Sequence, residues 1–165
     1  MINADIKLRF SKSFDCPVEY IEKLPDVTVD ISLLLEELKF LKKLEWVKNF
    51  MQTKLPVYQQ NKWSDYAESM VYTKSVVESL KQHVPFNSVY YRYLHVHTCY
   101  NWHTDAMKTC LHIPLITNEG CKFVYEDRVF SMPADGSVYI VNNSIPHTFV
   151  NSGTTDRLHI TMDIF

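Results

Sequence analysis

Between residues 31 and 51, apolar side chains recur every three or four positions, at Leu34, Leu38, Leu41, Leu44, Val47 and Met51, with Lys and Glu between them. That spacing places them on one helical face, and Asp30 stands where an N-cap belongs, so the pattern predicts an amphipathic helix over 31–51. A second helical pattern starts at Ser64-Asp65, where Glu68 follows Asp65 as a capping-box-like pair. It runs through Tyr66, Met70, Val77 and Leu80 to Pro85, which cannot continue a helix. From Ser88 onward the texture changes to runs rich in Tyr, Val, Ile, Phe and Thr, broken at Asn118-Glu119-Gly120, Pro133-Ala134-Asp135-Gly136 and Asn151-Ser152-Gly153. This predicts strands at 89–97, 100–104, 109–116, 121–126, 128–132, 137–142, 146–151 and 157–164. Eight short strands in ~75 residues suit a small barrel or jelly roll better than an open sheet. The chain reads as mainly β with N-terminal helices (α+β). One domain covers 1–165, with a helical support region at 1–87 and a β core at 88–165.

Composition narrows the chemistry. Lys+Arg 17 and Asp+Glu 19 give a net charge of -2 with both signs spread along the chain, so no basic cluster is present to release counterions from DNA or RNA. The three glycines, Gly120, Gly136 and Gly153, are too far apart to build a phosphate-cradling loop. They fall instead at predicted turns, where tolerance of positive φ is expected to be useful. Cys16, Cys99, Cys110 and Cys121 form no C-x-x-C pair, no charged-then-apolar leader precedes them, and no stretch approaches the ~20 apolar residues of a bilayer span. The expectation is a soluble, cytoplasmic protein with no membrane or nucleic-acid partner.

The β half holds six of the seven histidines. In His103-Thr104-Asp105, positions i and i+2 of an extended segment face one side, so an imidazole and a carboxylate converge. His147, 42 residues after Asp105 and just after Pro146, is the candidate third ligand. Two histidines and one carboxylate on one face of a metal leave positions open, a donor set suited to Fe(II) and O2. Ten residues beyond His147 stands Arg157, in a strand otherwise of apolar and hydroxyl side chains. An inward arginine needs an anion. A dicarboxylate whose keto-acid end chelates iron and whose far end takes a two-pronged guanidinium contact fits, which points to 2-oxoglutarate.

In combination these blocks resemble the Fe(II)/2-oxoglutarate-dependent dioxygenases, and among them the aspartyl/asparaginyl β-hydroxylase-like branch. The similarity covers residues 90 to 164. It rests on His103-Thr104-Asp105, Leu111-His112-Ile113-Pro114-Leu115-Ile116-Thr117-Asn118, Gly136 before Val138-Tyr139-Ile140-Val141, His147 with Val150-Asn151, and Asp156-Arg157-Leu158-His159-Ile160 leading to Asp163. The resemblance implies a distorted double-stranded β-helix (jelly-roll, cupin-like) core in which His103, Asp105 and His147 bind iron. It further implies that Arg157 holds the distal carboxylate of 2-oxoglutarate and that His112 helps to hold this cosubstrate near the metal. A hydroxyl partner for Arg157 is assigned to Tyr93, with Arg92 as the competitor should the strand register be opposite. Cys110 stands where some members have arginine, Val96-His97 where many have Pro-Gly, and Asp105 completes a triad that members with glycine there lack.

The implied activity is hydroxylation of an unactivated C–H of an amino-acid side chain, free or in a peptide or protein, with O2 consumed, succinate and CO2 released, and ascorbate as a stimulant. A nucleobase demethylase fits less well, since position 163 is Asp163 where those enzymes carry arginine. The alternative from another class is a metal-binding jelly roll that does not turn over, a sensor or interaction module. Among the remaining candidates, His95 and His97 read as strand residues able to support the cavity, and His159 is balanced between a supporting and an ordinary hydrogen-bonding role. Trp102 reads as an outward or roofing residue, and Cys110 as the cysteine able to face the cavity.

Overall fold

The computed structural model describes residues 15–41, 46–48 and 52–164. Strands and helices follow in the order β1 (Ile21–Thr28), α1 (Ile31–Leu41), β2 (Val47–Lys48), β3 (Gln52–Gln59), β4 (Lys62–Trp63), a 3-10 turn (Asp65–Ser69), α2 (Val71–Lys81), β5 (Phe86–Leu94), β6 (Thr98–Cys99), β7 (Thr109–Ile116), β8 (Cys121–Tyr125), β9 (Val129–Phe130), β10 (Ser137–Asn142), β11 (His147–Asn151) and β12 (Arg157–Ile164). Among the described residues two antiparallel sheets form. The larger runs β1-β10-β7-β12-β5-β3-β2 with β4 on β3, and the smaller runs β6-β11-β8-β9. This is the double-stranded β-helix expected. No described helix is long and apolar enough to cross a membrane.

Alternation along the central strands divides the interior in two. In β12, Leu158, Ile160, Met162 and Ile164 join Leu111, Ile113 and Leu115 of β7, Val138 and Ile140 of β10, and Leu34, Leu38, Val77 and Leu80 of the helices in one core. Each such aliphatic side chain contributes roughly 1.5–3 kcal/mol of burial, which fixes the register of the sheet because a one-residue slip would turn the whole set over. The opposite face of the large sheet meets the small sheet over a second cluster of Leu94, Phe123, Tyr125, Tyr139, Val141 and Phe149. Arg157, His159, Thr161 and Asp163, the alternate residues of β12, face that inter-sheet side.

The helices differ from their sequence patterns in instructive ways. Asp30 does cap α1, its Oδ1 accepting from the amides of Ser32 (2.8 Å) and Leu33 (3.3 Å). The helix does not persist over 31–51, however. Val47 pairs with Lys54 as a sheet-edge strand, and Trp46 packs on Tyr93, so pairing and aromatic packing override the apolar repeat. Leu44 and Met51 lie outside the described residues. The second helix starts at Val71 rather than Ser64, and the expected pair Asp65 and Glu68 lies inside the 3-10 turn that precedes it rather than at its N-terminus; Ser64 Oγ donates to Pro56 O. Glu37 of α1 caps it from a distance, accepting from the amides of Tyr72 (2.6 Å) and Thr73 (2.9 Å).

The first half is also not purely helical: β1 and β3 pair with β10 and β5. Pro25, Pro56 and the interspersed charges hide both strands from a periodicity reading, since proline in a strand demotes it. Positive φ is confirmed at Gly136 (85°) alone among the three glycines. At Gly120 the constraint is close approach, since an added Cβ would lie 2.3 Å from Gly153 N.

Candidate active site

The segment bearing His103 and strand β11 meet in an isolated antiparallel bridge. His103 N donates to His147 O (3.1 Å) and His147 N donates to His103 O (2.9 Å). Directly opposed residues project to the same side, which brings the two imidazole rings to a centroid separation of 4.4 Å. Asp105 joins them. One ligand atom each from His103, Asp105 and His147 lies within 4.8 Å of the others, the arrangement of a metal-binding group.

Hydrogen bonds around these side chains prepare them as donors. His103 Nδ1 lies 2.7 Å from Asn101 O and His147 Nδ1 lies 3.0 Å from Ile145 O. A carbonyl can only accept, so both Nδ1 atoms carry the proton and both Nε2 lone pairs are left for a cation. Burial lowers the pKa of His147, against the smaller opposing effect of the Ile145 carbonyl, which favours the neutral, metal-binding form. Phe123 stacks on its ring at 4.9 Å. Asn143 Nδ2 donates to Asp105 Oδ2 (2.8 Å), leaving Oδ1 toward the histidines. This donor set fits a divalent metal of the Fe(II) class.

The same cavity, about 140 Å³, is lined by Arg157, His112, Arg92, Cys110, Thr161 and Asp163 beside the three metal-type side chains. Arg157 is 5% exposed, and among the described residues no carboxylate pairs with it. Its Nη1 donates to His159 Nδ1 (3.1 Å), its guanidinium carbon sits 3.9 Å over the Phe149 ring, and its Nε has no hydrogen-bond partner. Burial draws its pKa down to about 10, still a cation near neutrality. A buried guanidinium with an unused N–H is a standing site for an anion. His112 and His159 touch through their Nδ1 atoms (3.1 Å). Burial first, and the Arg157 charge second, hold both well below the ordinary histidine range, so both are neutral.

His103, Asp105, His147, Arg157 and His112 are therefore gathered around one cavity. Tyr93 is not. It pairs opposite Leu158 and packs with Trp46 on the helix side, whereas Arg92, opposite His159, enters the cavity; the competing register is the one adopted. His95 is bound to Thr53 (2.9 Å) and Asp156 (3.3 Å) away from the cavity, and His97 takes a positive φ in a turn, so neither supports the site. Trp102 is 54% exposed. Asn143, Thr161 and Asp163 went unassigned in the sequence. Thr161 and Asp163 carried a signal, since both continue the alternation from Arg157 through His159; Asn143 carried none.

The Aspartyl/Asparaginyl beta-hydroxylase family profile matches residues 35–165. L-proline cis-4-hydroxylase of Rhizobium meliloti (strain 1021) is 30% identical over 105 residues, 59% of this chain and 36% of that protein, so the chain spans about a third of the length of this curated relative. Among solved structures, a prolyl hydroxylase from Trichoplax adhaerens, in complex with a hypoxia inducible factor oxygen degradation domain peptide fragment, superposes with a TM-score of 0.66. It is 12% identical, covering 97% of this chain and 87% of that one. A 2OG-Fe(II) oxygenase family oxidoreductase from Burkholderia pseudomallei gives 0.65 at 13% identity, over 96% and 87%. At these identities the structures speak to the fold.

Proposed function

Because the chain belongs to the Aspartyl/Asparaginyl beta-hydroxylase family, we propose that it is an Fe(II)- and 2-oxoglutarate-dependent dioxygenase that hydroxylates an amino-acid side chain, free or in a peptide, and releases succinate and CO2. The observation that carries this reading is the coincidence, in one cavity, of a His-Asp-His group and a buried arginine that no carboxylate among the described residues pairs. His103 Nε2, Asp105 Oδ1 and His147 Nε2 hold the metal, and Arg157 takes the distal carboxylate of 2-oxoglutarate. His112, neutral and with its Nδ1–H given to His159 Nδ1, helps to hold the cosubstrate as a wall of the cavity rather than as a hydrogen-bond donor. When bound, iron and 2-oxoglutarate together supply the oxidant derived from O2, and ascorbate keeps the metal reduced.

The chain's own work is to position and to shield. Phe123 and Phe149 form apolar walls beside His147 and Arg157, so the charges act in a medium drier than water and are worth correspondingly more. Arg157, fixed by His159 and Phe149, is preorganised for a planar carboxylate. The reading takes 1–165 as one domain, since β1 and β3 pair into the sheet that carries Arg157. The four free cysteines accord with a cytoplasmic location, and the spread charge with a substrate other than nucleic acid. Succinate formation that requires both Fe(II) and 2-oxoglutarate tests the reading; a protein that binds neither overturns it.

A further inference from the structure

Beyond the metal group and Arg157, the cavity wall holds a second charged feature. Arg92 and Asp163 lie side by side at the inter-sheet face, with side chains 23% and 21% exposed. Arg92 is braced by a hydrogen bond from its Nε to Thr161 Oγ1 (2.7 Å) and by the Tyr90 ring 4.7 Å from its guanidinium carbon. Its contact with Asp163 is loose: Nη2 stands 3.5 Å from each carboxylate oxygen. At the outer limit of hydrogen-bond geometry neither charge saturates the other. Among the described residues the additional contacts of Asp163 are long ones, from Cys110 Sγ (3.7 Å) and Ser88 Oγ (3.5 Å).

A partly buried ion pair this loose gains little for the fold relative to apolar packing. The cosubstrate does not explain it either. In the function proposed above, one carboxylate of 2-oxoglutarate goes to the metal and the other to Arg157, and the molecule carries no cation for Asp163. What matches Arg92 and Asp163 together is a small ligand with a carboxylate and an ammonium one carbon apart. A residue within a peptide presents neutral amides there, which match Arg92 and Asp163 less well than a carboxylate and an ammonium do and leave the pair only its own loose contact.

Resting on that function, we propose that Arg92 and Asp163 form a subsite for the zwitterionic end of a free α-amino acid, Arg92 binding its carboxylate and Asp163 its ammonium. The substrate class is thus a free amino acid rather than a peptide.

The test is anaerobic calorimetric titration of the full chain, loaded with Mn(II) and 2-oxoglutarate, with the common free L-amino acids and with their N-acetyl and C-amide derivatives. At least one free amino acid is expected to bind, and blocking either end is expected to weaken it on the order of 30-fold or more, the scale of removing one partner of a desolvated charge pair. Arg92→Gln should remove the preference over the C-amide and Asp163→Asn the preference over the N-acetyl form, a matched pattern that a purely structural ion pair does not produce. Equal or tighter binding of the blocked forms overturns the proposal, and the wild-type titrations decide this even if a variant fails to fold. Binding of 2-oxoglutarate with no free amino acid bound overturns the subsite alone. Failure of 2-oxoglutarate itself to bind overturns the underlying function as well.

Discussion

Asn143 and Asp105 are tied to each other twice. The Asn143 amide donates to Asp105 Oδ2 at 2.8 Å, and the Asp105 backbone N–H donates to Asn143 O at 3.0 Å. The loop after β10 therefore sets both the path of the chain at Asp105 and the rotation of its carboxylate. Asn143→Ala is expected to weaken Mn(II) or Fe(II) affinity about 10- to 100-fold, the usual cost of removing a partner that orients a metal ligand. Asp105→Ala should lose more than that. Metal titration of the two variants checks the order, and wild-type affinity in Asp105→Ala would sink the triad.

Arg157 reaches the cavity with Nη1 on His159 and Nε without a partner, so its fork is matched to a planar carboxylate in a way an ammonium is not. Arg157→Lys should raise the dissociation constant for 2-oxoglutarate about 10- to 100-fold, the equivalent of losing one charge-assisted bond. An unchanged constant would place the carboxylate elsewhere.

His112 and His159 give stability a sign with pH. Burial, then the Arg157 charge, holds both well below the ordinary value of 6.5, so in the folded chain they stay neutral where an unfolded chain takes up protons. Their contribution is complete above pH 6.5 and is lost as pH falls through and below it, by up to ~1.4 kcal/mol per pH unit for each. Denaturant melts from neutral to mildly acidic pH should show falling stability, with a shallower fall in His159→Gln. Stability that is flat or rises on acidification would contradict the neutral assignment.

Gly136 adopts φ +85°, and an added Cβ would lie 2.6 Å from Val29 O, whose own residue donates its amide to Gly136 O. Gly136→Ala is expected to cost about 1–3 kcal/mol, since both the left-handed backbone and the β1–β10 junction must shift. Equilibrium unfolding of the variant checks this, and an unchanged midpoint would show that the junction yields freely.

Strands buried on both faces were legible to the residue. β7, β10 and β12 occupy 109–116, 137–142 and 157–164 as their apolar runs predict, because turn residues bound them and both sheets demand their side chains. β1 was illegible because it lies at the sheet edge, where Pro25 and charges are tolerated, and β3 because Pro56 falls between its two short partners β2 and β4, at an irregularity in its pairing with β5. At the site, His103 and Asp105 could be read because their spacing alone puts them together. Tyr93 and Arg92 could not be ordered, because neighbouring strand residues face opposite ways and only the pairing of β5 with β12 decides which one faces the cavity. Asn143 and the capping Glu37 act across long stretches of chain, and no local pattern announces them.

In the proposed reaction His103, Asp105, His147 and Arg157 serve one metal and one cosubstrate. Its most direct test is mass spectrometry of the purified chain incubated aerobically with Fe(II), 2-oxoglutarate, ascorbate and a panel of free amino acids and peptides. A +16 product is expected from at least one of them, formed with succinate and abolished when Fe(II) or 2-oxoglutarate is withheld. Persistent absence of both product and succinate from a folded, metal-loaded protein would contradict it and leave a jelly roll that binds metal without turning over.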